Sequence, residues 1–427
     1  MVSTKTEQAA HSIKQVIPLN ILLLTQVLPY PPDSGPKVKT WNVIKYLAQR
    51  YRVTLVSFVR GDQSEDIRVL EGLCAGGVYT VPMERSKMRD AWYMLRSLLT
   101  GQPFLMVRDD RVDMRRLVDR LAAEQHFDVA HADQLNMAQY AARVTGAVKL
   151  LDAHNALWLL YKRLWETMKP GPQKWLLGRD WRLLKKYEGR VCREFDAVLA
   201  VSEEDKAALE GAAGRPLDIY VIPIAVDTDE VTVIERTPGP YILHIGTMYW
   251  PPNIDGVWWF LREVHPLIRQ QRPDVIFDIV GSRPPASLRA LNENGIGVNV
   301  TGYVADPTPY LQRAALMVVP LRAGGGMRVK ILNALAQGIP IVSTTLGAEG
   351  IAVTPGENIL VGDTPTAFAD AVVRLLDDPE LAQRIAHNGR RLAEERYDYR
   401  RVCMPIADVY RRAVGVKRET RNAKRET

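Results

Sequence analysis

The stretch that decides the fold is residues 320–350, PLRAGGGMRVKILNALAQGIPIVSTTLGAEG. It starts at the end of an apolar segment, 316–321, and runs into a second one, 339–345, with a helical pattern between them. Three glycines, 324–326, follow the first apolar segment and would let backbone N–H groups come close to a ligand. Because the next helix points its positive end at the same place, the stretch predicts a strand–helix–strand unit with an anion site.

Arg328 and Lys330 add two cations to this glycine loop. A guanidinium fork and an ammonium point charge can together neutralise a diphosphate without a metal ion. The alternative interpretation is a tight turn followed by a helix with two surface cations. The loop is not a P-loop, because the Gly-Lys-Ser/Thr ending is absent.

The same alternation of apolar strands and helical segments extends outward from this stretch and occurs twice along the chain. It predicts an α/β protein of two Rossmann-like domains whose parallel sheets face each other across a cleft. The predicted parts are a flexible segment at 1–19, a first domain at 20–226, an interdomain crossing at 227–239, a second domain at 240–402, a helix at 403–416 that returns to the first domain, and a disordered tail at 417–427.

Composition excludes several classes of protein. The chain has 427 residues, of which 47% are hydrophobic, so it can form two or three globular cores. The polar first sixteen residues do not resemble a signal peptide, and no apolar run reaches the roughly 18 residues that span a bilayer. We therefore expect a cytoplasmic protein. Cys74, Cys192 and Cys403 are too few and too far apart for a disulfide framework or a zinc site, which predicts reduced thiols.

Much of the net charge of +7 lies in residues 158–190, where nine basic residues face three acidic ones and Trp158, Trp165, Trp175 and Trp181 are interleaved. One interpretation is a peripheral contact with an anionic membrane surface, with the indole rings at headgroup depth. The other is a pair of helices whose Trp and Leu residues pack inside and whose charges face solvent. Nucleic acid is not favoured as a partner, because no recognition motif accompanies the charge.

Candidate residues in the first domain follow two predicted strands. Gly35 lies in a loop between a strand and a helix, and Lys37 and Lys39 would add positive charge there for a phosphate-bearing acceptor. The alternative is a Pro-rich turn with two surface lysines. His154 and Asn155 follow the segment VKLLDA, at an edge that faces the cleft, where a histidine can orient a hydroxyl group. The alternative is a structural histidine.

Two acidic features complete the candidates. Glu349 follows the segment 339–345 and could contact a sugar or an acceptor; a loop or capping carboxylate is the other interpretation. Asp227 and Asp229 form a D-x-D pair, which can hold a metal-bound diphosphate. Their position in the interdomain crossing instead favours a polar linker, and no metal site is predicted.

Taken in order, the segments of this chain resemble those of the family-four retaining glycosyltransferases, which have the two-domain GT-B fold. The resemblance covers roughly residues 20 to 410. It is carried by LLLTQVLPYPPDSGPKVKTWNVIKYLA, LDAHNALW, AVSEEDKAAL, VIPIAVDTDE, LHIGTMYWPPNIDGVWWFLREVHPLI, DIVGSRPP, VTGYVADPTPYLQRAALMVVP with the opening stretch, and GRRLAEERYDY.

The resemblance implies a nucleotide diphosphate-sugar donor in the second domain and a polysaccharide, lipid-linked or other glycan acceptor in the first. By position, Gly246 and Thr247 would line the donor site, Gly324, Gly325, Gly326, Arg328 and Lys330 would hold the diphosphate, and Glu349 would contact the donor. Gly35, Lys37, Lys39, His154 and Asn155 would bind the acceptor. His154, Arg328 and Lys330 would be catalytic, and no cofactor would be needed.

Many relatives in that family carry two glutamates separated by seven residues, the second of which accepts the ribose hydroxyls. Here the two positions are Gly325 and Asn333. A neutral amide at 333 would make weaker hydrogen bonds to ribose than a carboxylate. A non-catalytic nucleotide-sugar-binding or scaffold protein, and a nucleotide-sugar epimerase of the same fold, are therefore the alternative functions.

Overall fold

The chain folds into two α/β domains, seen here in a computed structural model that describes residues 19–293, 295 and 297–426. The predicted flexible segment, 1–19, lies outside the described residues except for Leu19. Each domain is built on one parallel sheet, and both faces of each sheet are covered by helices. Because central strands such as Asn20–Thr25 are buried on both faces, they are continuous apolar runs rather than alternating patterns.

Within the described residues the first sheet has seven parallel strands in the order β3-β2-β1-β4-β5-β6-β7. The strands are β1 Asn20–Thr25, β2 Arg52–Val59, β3 Val78–Pro82, β4 Val129–Asp133, β5 Val148–Ala153, β6 Ala197–Ala200 and β7 Ile219–Val221. Strand β3 was not predicted; it lies at the sheet edge and is only partly buried, so its apolar pattern is weak.

The helices of the first domain surround this sheet. They are α1 Gly35–Ala48, α2 Ser64–Glu71, α3 Lys87–Thr100, α4 Phe104–Arg108, α5 Val112–Glu124, α6 Ala138–Ala141, α7 Leu157–Thr167, α8 Pro172–Glu194 and α9 Glu203–Ala213, with a 3₁₀ turn at Leu135–Met137.

The second sheet has six parallel strands in the described part of the chain, in the order β10-β9-β8-β11-β12-β13. The strands are β8 Tyr241–Ile245, β9 Ile276–Val280, β10 Val298–Gly302, β11 Ala314–Val319, β12 Ile341–Ser343 and β13 Leu360–Val361. The order reverses between β8 and β11, which is where parallel sheets of this kind bind ligands.

The remaining helices pack on the second sheet or return to the first domain. They are α10 Pro251–Trp259, α11 His265–Gln271, α12 Ala286–Arg289, α13 Thr308–Arg313, α14 Val329–Ala336, α15 Pro365–Asp377, α16 Pro379–Leu392, α17 Tyr399–Val402 and α18 Met404–Glu426. Wider π-helical turns, Phe260–Val264 and Ala393–Tyr397, follow α10 and α16, and a 3₁₀ turn, Ala290–Glu293, follows α12.

The C-terminal helix packs on the first domain. Ile406, Tyr410 and Val414 of α18 are buried in the core formed with β1. The structure corrects the predicted disordered tail, 417–427, because α18 continues through Glu426. Lys417 and Arg418 there form ion pairs with the first domain, at 2.7 Å to Asp196 and 3.0 Å to Asp128 respectively.

The chain crosses between the domains twice, and the two crossings lie side by side. Val226 pairs with Asp398 in a parallel bridge, with the Val226 N–H donating to the Tyr397 carbonyl at 2.8 Å and the Tyr399 N–H donating to the Val226 carbonyl at 3.0 Å. We call these two adjacent crossings the hinge. Ion pairs stabilise it: Lys45 of α1 contacts Asp227, and Arg400 contacts Asp229. The D-x-D carboxylates are therefore bound to side-chain cations.

Residues 158–190 form the helix pair α7 and α8. Trp181 packs against Trp158 and Trp165, with ring centroids 6.4 Å and 6.2 Å away, and basic side chains stack on the rings. Trp175 alone of the four is largely exposed, at 64%. Of the four indole rings proposed to contact a membrane, Trp175 is thus the one that is largely exposed. Within the described residues, no helix is long and apolar enough to cross a bilayer.

Candidate active site

The glycine loop lies between β11 and α14, at the carboxyl edge of the second sheet. Gly324 and Gly326 have φ angles of 113° and 77°, a left-handed region that side chains with a Cβ rarely adopt. The loop can therefore turn sharply and bring the first N–H groups of α14 to the cleft. This is the arrangement expected for binding an anion at a helix N-terminus.

Arg328 directly precedes α14, and its guanidinium forms no ion pair with a carboxylate of the described residues. One of its nitrogens donates to the carbonyl of Gly325. Its Nε and Nη2 atoms are buried and, among the described residues, have no hydrogen-bond partner. Burial lowers the pKa of Arg328 to about 10, so the group remains charged at neutral pH. Two unsatisfied N–H groups on one buried cation are a site for a bidentate anion.

Lys330 supplies a second cation in the first turn of α14. Its Nζ donates to the side-chain oxygen of Asn253 at 3.2 Å. A Cβ placed on Gly246 would lie only 2.7 Å from this Nζ, so a glycine there leaves room for the ammonium. Burial, together with the neighbouring charge of Arg328, lowers the pKa of Lys330 to about 7. Among the described residues, no carboxylate pairs with Lys330, and a negative charge beside its Nζ would raise its pKa again.

The first domain meets this loop from the other side of the cleft. Gly35 is the first residue of α1, and a Cβ there would lie 3.4 Å from a methyl group of Val329, the first residue of α14. A Cβ on Gly326 would lie 3.8 Å from the carbonyl of His154 and from Asn155. The structure therefore brings the predicted residues of both domains together, with two helix N-termini directed at one cleft.

His154 is oriented by a carboxylate of the neighbouring strand. Its Nε2 lies 2.8 Å from Asp133, which also accepts from the Thr40 hydroxyl at 3.0 Å. The Nδ1 atom is buried and has no partner in the described structure. Ligand atoms of Asp133, Asp152 and His154 lie within 4.8 Å of one another, a spacing that a metal could use. Asp152 is bound to Lys39, so a cation already compensates the charge of one of the two carboxylates.

Buried carboxylates fix the segment that follows His154. Glu188 of α8 accepts from the N–H groups of Leu157 and Trp158 at 3.1 and 3.0 Å, and Asp205 accepts from the N–H of Ala156 at 2.7 Å. Burial raises the pKa of Glu188 to about 8. These bonds satisfy the first N–H groups of α7 and hold the His154 backbone at the cleft.

Glu349 lies at the cleft but contacts another protein residue there. Arg163 of α7 donates two hydrogen bonds to it, at 2.8 and 2.9 Å, and a third to the carbonyl of Gly324 at 3.0 Å. These three hydrogen bonds from Arg163 join the first domain to the second and close the cleft beside the glycine loop. Arg163 was not predicted, because nothing in the sequence distinguishes it from the other basic residues of 158–190.

The structure contradicts one of the predicted acceptor-binding residues. Lys39 is only 2% exposed and forms a buried ion pair with Asp152 behind the cleft. Burial opposes ionisation of Asp152, but the charge of Lys39 acts together with His131 and His154, and their combined effect lowers the pKa of that carboxyl group. Lys37 is half-buried and pairs with the exposed Asp33 at 3.1 Å. In α1, Lys39 falls on the face that packs on the sheet, which explains its burial.

Three further residues lie near the glycine loop and the end of β8. Asn333 lies one turn beyond Lys330 in α14 and is half-buried, and Thr247 follows β8 in an exposed loop. The side chain of Asn253 donates to the Thr247 carbonyl at 3.0 Å as well as accepting from Lys330. Asn253 was not predicted, although it follows the Gly246–Thr247 strand end by a few residues.

Two facing parallel-sheet domains with a cationic loop at the cleft edge of the second define the GT-B class of glycosyltransferases. Residues 34–230 match the model described as "Glycosyltransferase Family 4", and residues 239–378 match "Glycosyl transferases group 1". Together the two matches cover most of the chain. The chain belongs to the group-1 glycosyltransferases, and it is a glycosyltransferase enzyme.

The relatives are distant in sequence. An uncharacterized 44.6 kDa protein in the cps region of Klebsiella pneumoniae is 23% identical over 90% of this chain and 98% of its own. An MMP alpha-(1->4)-mannosyltransferase of Mycolicibacterium hassiacum is 28% identical over 56% of this chain and 59% of its own. The crystal structure of Anabaena Alr3699/HepE in complex with UDP shares the fold, with a TM-score of 0.63, 16% identity and coverage of 91% of this chain and 99% of that one.

Lys37 and Lys39, two of the three lysines of α1, allow a test of structural against acceptor-binding roles. Lys39→Met should lower the free energy of unfolding by about 3 kcal/mol, because it leaves Asp152 buried and unpaired. Lys37→Met, which breaks an exposed ion pair, should change it by less than about 1 kcal/mol. Urea unfolding followed by circular dichroism measures both. Equal, small effects would show that Lys39 does not stabilise the first domain.

Proposed function

We propose that this enzyme transfers a hexosyl group from a nucleoside diphosphate-sugar to a hydroxyl group of a glycan or lipid-linked acceptor, with retention of configuration and without a metal ion. The observation that carries the proposal is the pair of half-buried cations at the start of α14, neither of which has a carboxylate in contact among the described residues. Arg328 has two unsatisfied N–H groups, and the pKa of Lys330 is lowered to about 7. Both conditions are relieved by an anion bound at this point.

A diphosphate suits the site better than a single charged group. Arg328 offers a planar fork to two oxygens, Lys330 a point charge, and the first N–H groups of α14 add donors of fixed orientation. The bound UDP in the structurally similar HepE protein supports a nucleoside diphosphate as the ligand. The mannosyltransferase name of one relative supports hexosyl transfer.

Charge development during transfer explains the arrangement. As the bond between the anomeric carbon and the diphosphate oxygen breaks, its electron pair moves onto the diphosphate, where Arg328 and Lys330 stabilise the added negative charge. The acceptor oxygen forms a new bond to the same carbon, and its proton passes to an oxygen of the leaving phosphate. Attack from the face that the diphosphate leaves retains the configuration.

The positions of the nearby carboxylates support this route. Glu349 is bound by two hydrogen bonds to Arg163, which neutralises it as a nucleophile. Asp133 is bound to His154 and Thr40. His154 is then left to position the acceptor: Asp133 fixes its ring through Nε2, and its Nδ1 atom is available to a substrate hydroxyl.

Removing the guanidinium tests the diphosphate site. Arg328→Ala should weaken binding of UDP, GDP, ADP or TDP, whichever the wild type binds, by about ten- to a hundredfold, because a charge-assisted pair of hydrogen bonds is lost. Arg322→Ala is the control, since Arg322 is an exposed arginine paired with Asp255 near the same loop. Isothermal titration calorimetry measures both. Unchanged affinity in Arg328→Ala would rule out the guanidinium as a diphosphate ligand.

The amide at position 333 gives a second prediction. Asn333→Glu should tighten binding of the nucleoside diphosphate by about three- to tenfold, since a carboxylate accepts stronger hydrogen bonds from the ribose hydroxyls. Inorganic pyrophosphate, which has no ribose, should bind this variant no more tightly than the wild type. If both ligands gain equally, Asn333 does not face the ribose.

The lowered pKa of Lys330 gives a pH dependence with a definite sign. Free Lys330 loses its proton near pH 7, and a bound diphosphate raises its pKa again, so binding takes up a proton above pH 7. Affinity should fall by up to about tenfold per pH unit between pH 7.5 and 9, where the ligand's own phosphate is already ionised.

Lys330→Arg is the matched variant, because an arginine stays charged over this range and should remove most of the pH dependence. Calorimetry in buffers of different ionisation enthalpy counts the protons taken up. A wild-type affinity that is constant from pH 7.5 to 9 would contradict the assignment of Lys330.

A further inference from the structure

Helix α3 exposes an apolar stripe on the surface of the first domain. The side chains of Met88, Trp92, Leu95 and Leu99 are 85%, 61%, 47% and 78% exposed. Their spacing of four, three and four residues places them along one side of the helix. A stripe of this kind on a soluble surface indicates a binding partner.

The opposite side of α3 holds the helix on the domain. Ser97, half a turn away from the stripe, is fully buried; its hydroxyl donates to the carbonyl of Gln102 at 2.6 Å and accepts from Arg179 of α8 at 3.1 Å. The stripe therefore points directly away from the protein. Trp175, which is also largely exposed, lies one turn before Arg179 at the start of α8.

Cations border the stripe on both sides. At 100° per residue, Arg89 and Arg96 lie on one border and Lys87 on the other, whereas Asp90 lies on the side of Ser97. The side chains of Arg89 and Arg96 are 50% and 45% exposed, and each forms a loose ion pair, at 3.8 Å, with Glu84 and Asp110 respectively. The helix thus presents apolar side chains at its centre and solvated positive charge at both edges.

We infer that α3 is a membrane-docking helix that lies in the headgroup region of an anionic bilayer. The apolar stripe would enter the acyl boundary, Trp92 would sit at its edge, and the flanking cations would meet lipid phosphates. The inference does not depend on the identity of the donor or acceptor. It also relocates the predicted membrane contact from residues 158–190 to a neighbouring helix.

Charge favours a bilayer over a second copy of the chain. Two copies joined through their stripes would bring the cationic borders together, with Asp90 turned away from the contact, so the charges would repel. The stripe is also a convex ridge, which a fluid bilayer accommodates without a complementary groove. In addition, α3 follows β3 at the carboxyl edge of the first sheet, the same edge that forms the cleft.

Vesicle sedimentation tests the inference with the full chain. The wild type should bind vesicles of equal parts phosphatidylglycerol and phosphatidylcholine, and bind pure phosphatidylcholine much more weakly. The double variant Trp92→Ser with Leu99→Ser should lose at least about tenfold in partitioning. Val416→Ser, at a valine of α18 that is 63% exposed, is the control and should bind like the wild type.

A second pair of substitutions separates the two components of binding. Arg89→Gln with Arg96→Gln should weaken binding to anionic vesicles severalfold, with little effect on neutral ones. All of these residues are exposed, so thermal unfolding and nucleoside diphosphate binding should be unchanged, which keeps this test distinct from those of the active site. Loss of donor binding with intact vesicle binding would overturn the proposed function alone.

Two results would overturn the membrane assignment. One is undiminished vesicle binding by the Trp92→Ser, Leu99→Ser variant, or none by the wild type. The other is a stable dimer in light scattering that this variant abolishes, which would assign the stripe to a second copy of the chain.

Discussion

The cleft edge of the second domain holds two half-buried positive charges, those of Arg328 and Lys330, that have no acidic partner in contact within the described residues. Burying a guanidinium with two unsatisfied N–H groups costs free energy, and the fold must supply that energy elsewhere. The glycines at 324 and 326 admit the required turn, and Gly246 leaves space for the ammonium of Lys330. An enzyme that expels a diphosphate gains from this arrangement, because the stabilising charges are already in place when the bond breaks.

The two domains contribute different groups to the candidate active site. The second supplies cations and helix N–H groups, whereas the first supplies a histidine held by Asp133 and a helix N-terminus at Gly35. Arg163 connects them, since it binds both the Gly324 carbonyl and Glu349. It removes a free carboxylate from the cleft and leaves an environment that favours anions. In the proposed reaction, the leaving phosphate would then be the base that takes the proton of the acceptor oxygen.

Much of the fold and half of the site could be predicted, because both follow from local patterns. Residues that directly follow a buried strand, such as His154 and Gly246, lie at the carboxyl edge of their own sheet whatever the rest of the chain does. The same logic would have identified Asp133, which ends β4. Arg163 could not be found, since its contacts with residue 349 arise only when the domains meet. Lys39 was misassigned because a lysine was assumed to be exposed, and its burial depends on pairing with Asp152 from a distant strand.

Helix α1 links the hinge to the cleft and has a mechanical consequence. Its first residue, Gly35, faces α14, while Lys45, near its other end, is bound to Asp227 in the hinge. Ten residues of helix make a rigid lever about 15 Å long. A rotation of about 10° at the hinge would move the tip by about 2–3 Å, enough to separate Gly35 from Val329. A small angular change at the crossings would therefore be enough to break the contact between the two helix N-termini at the cleft.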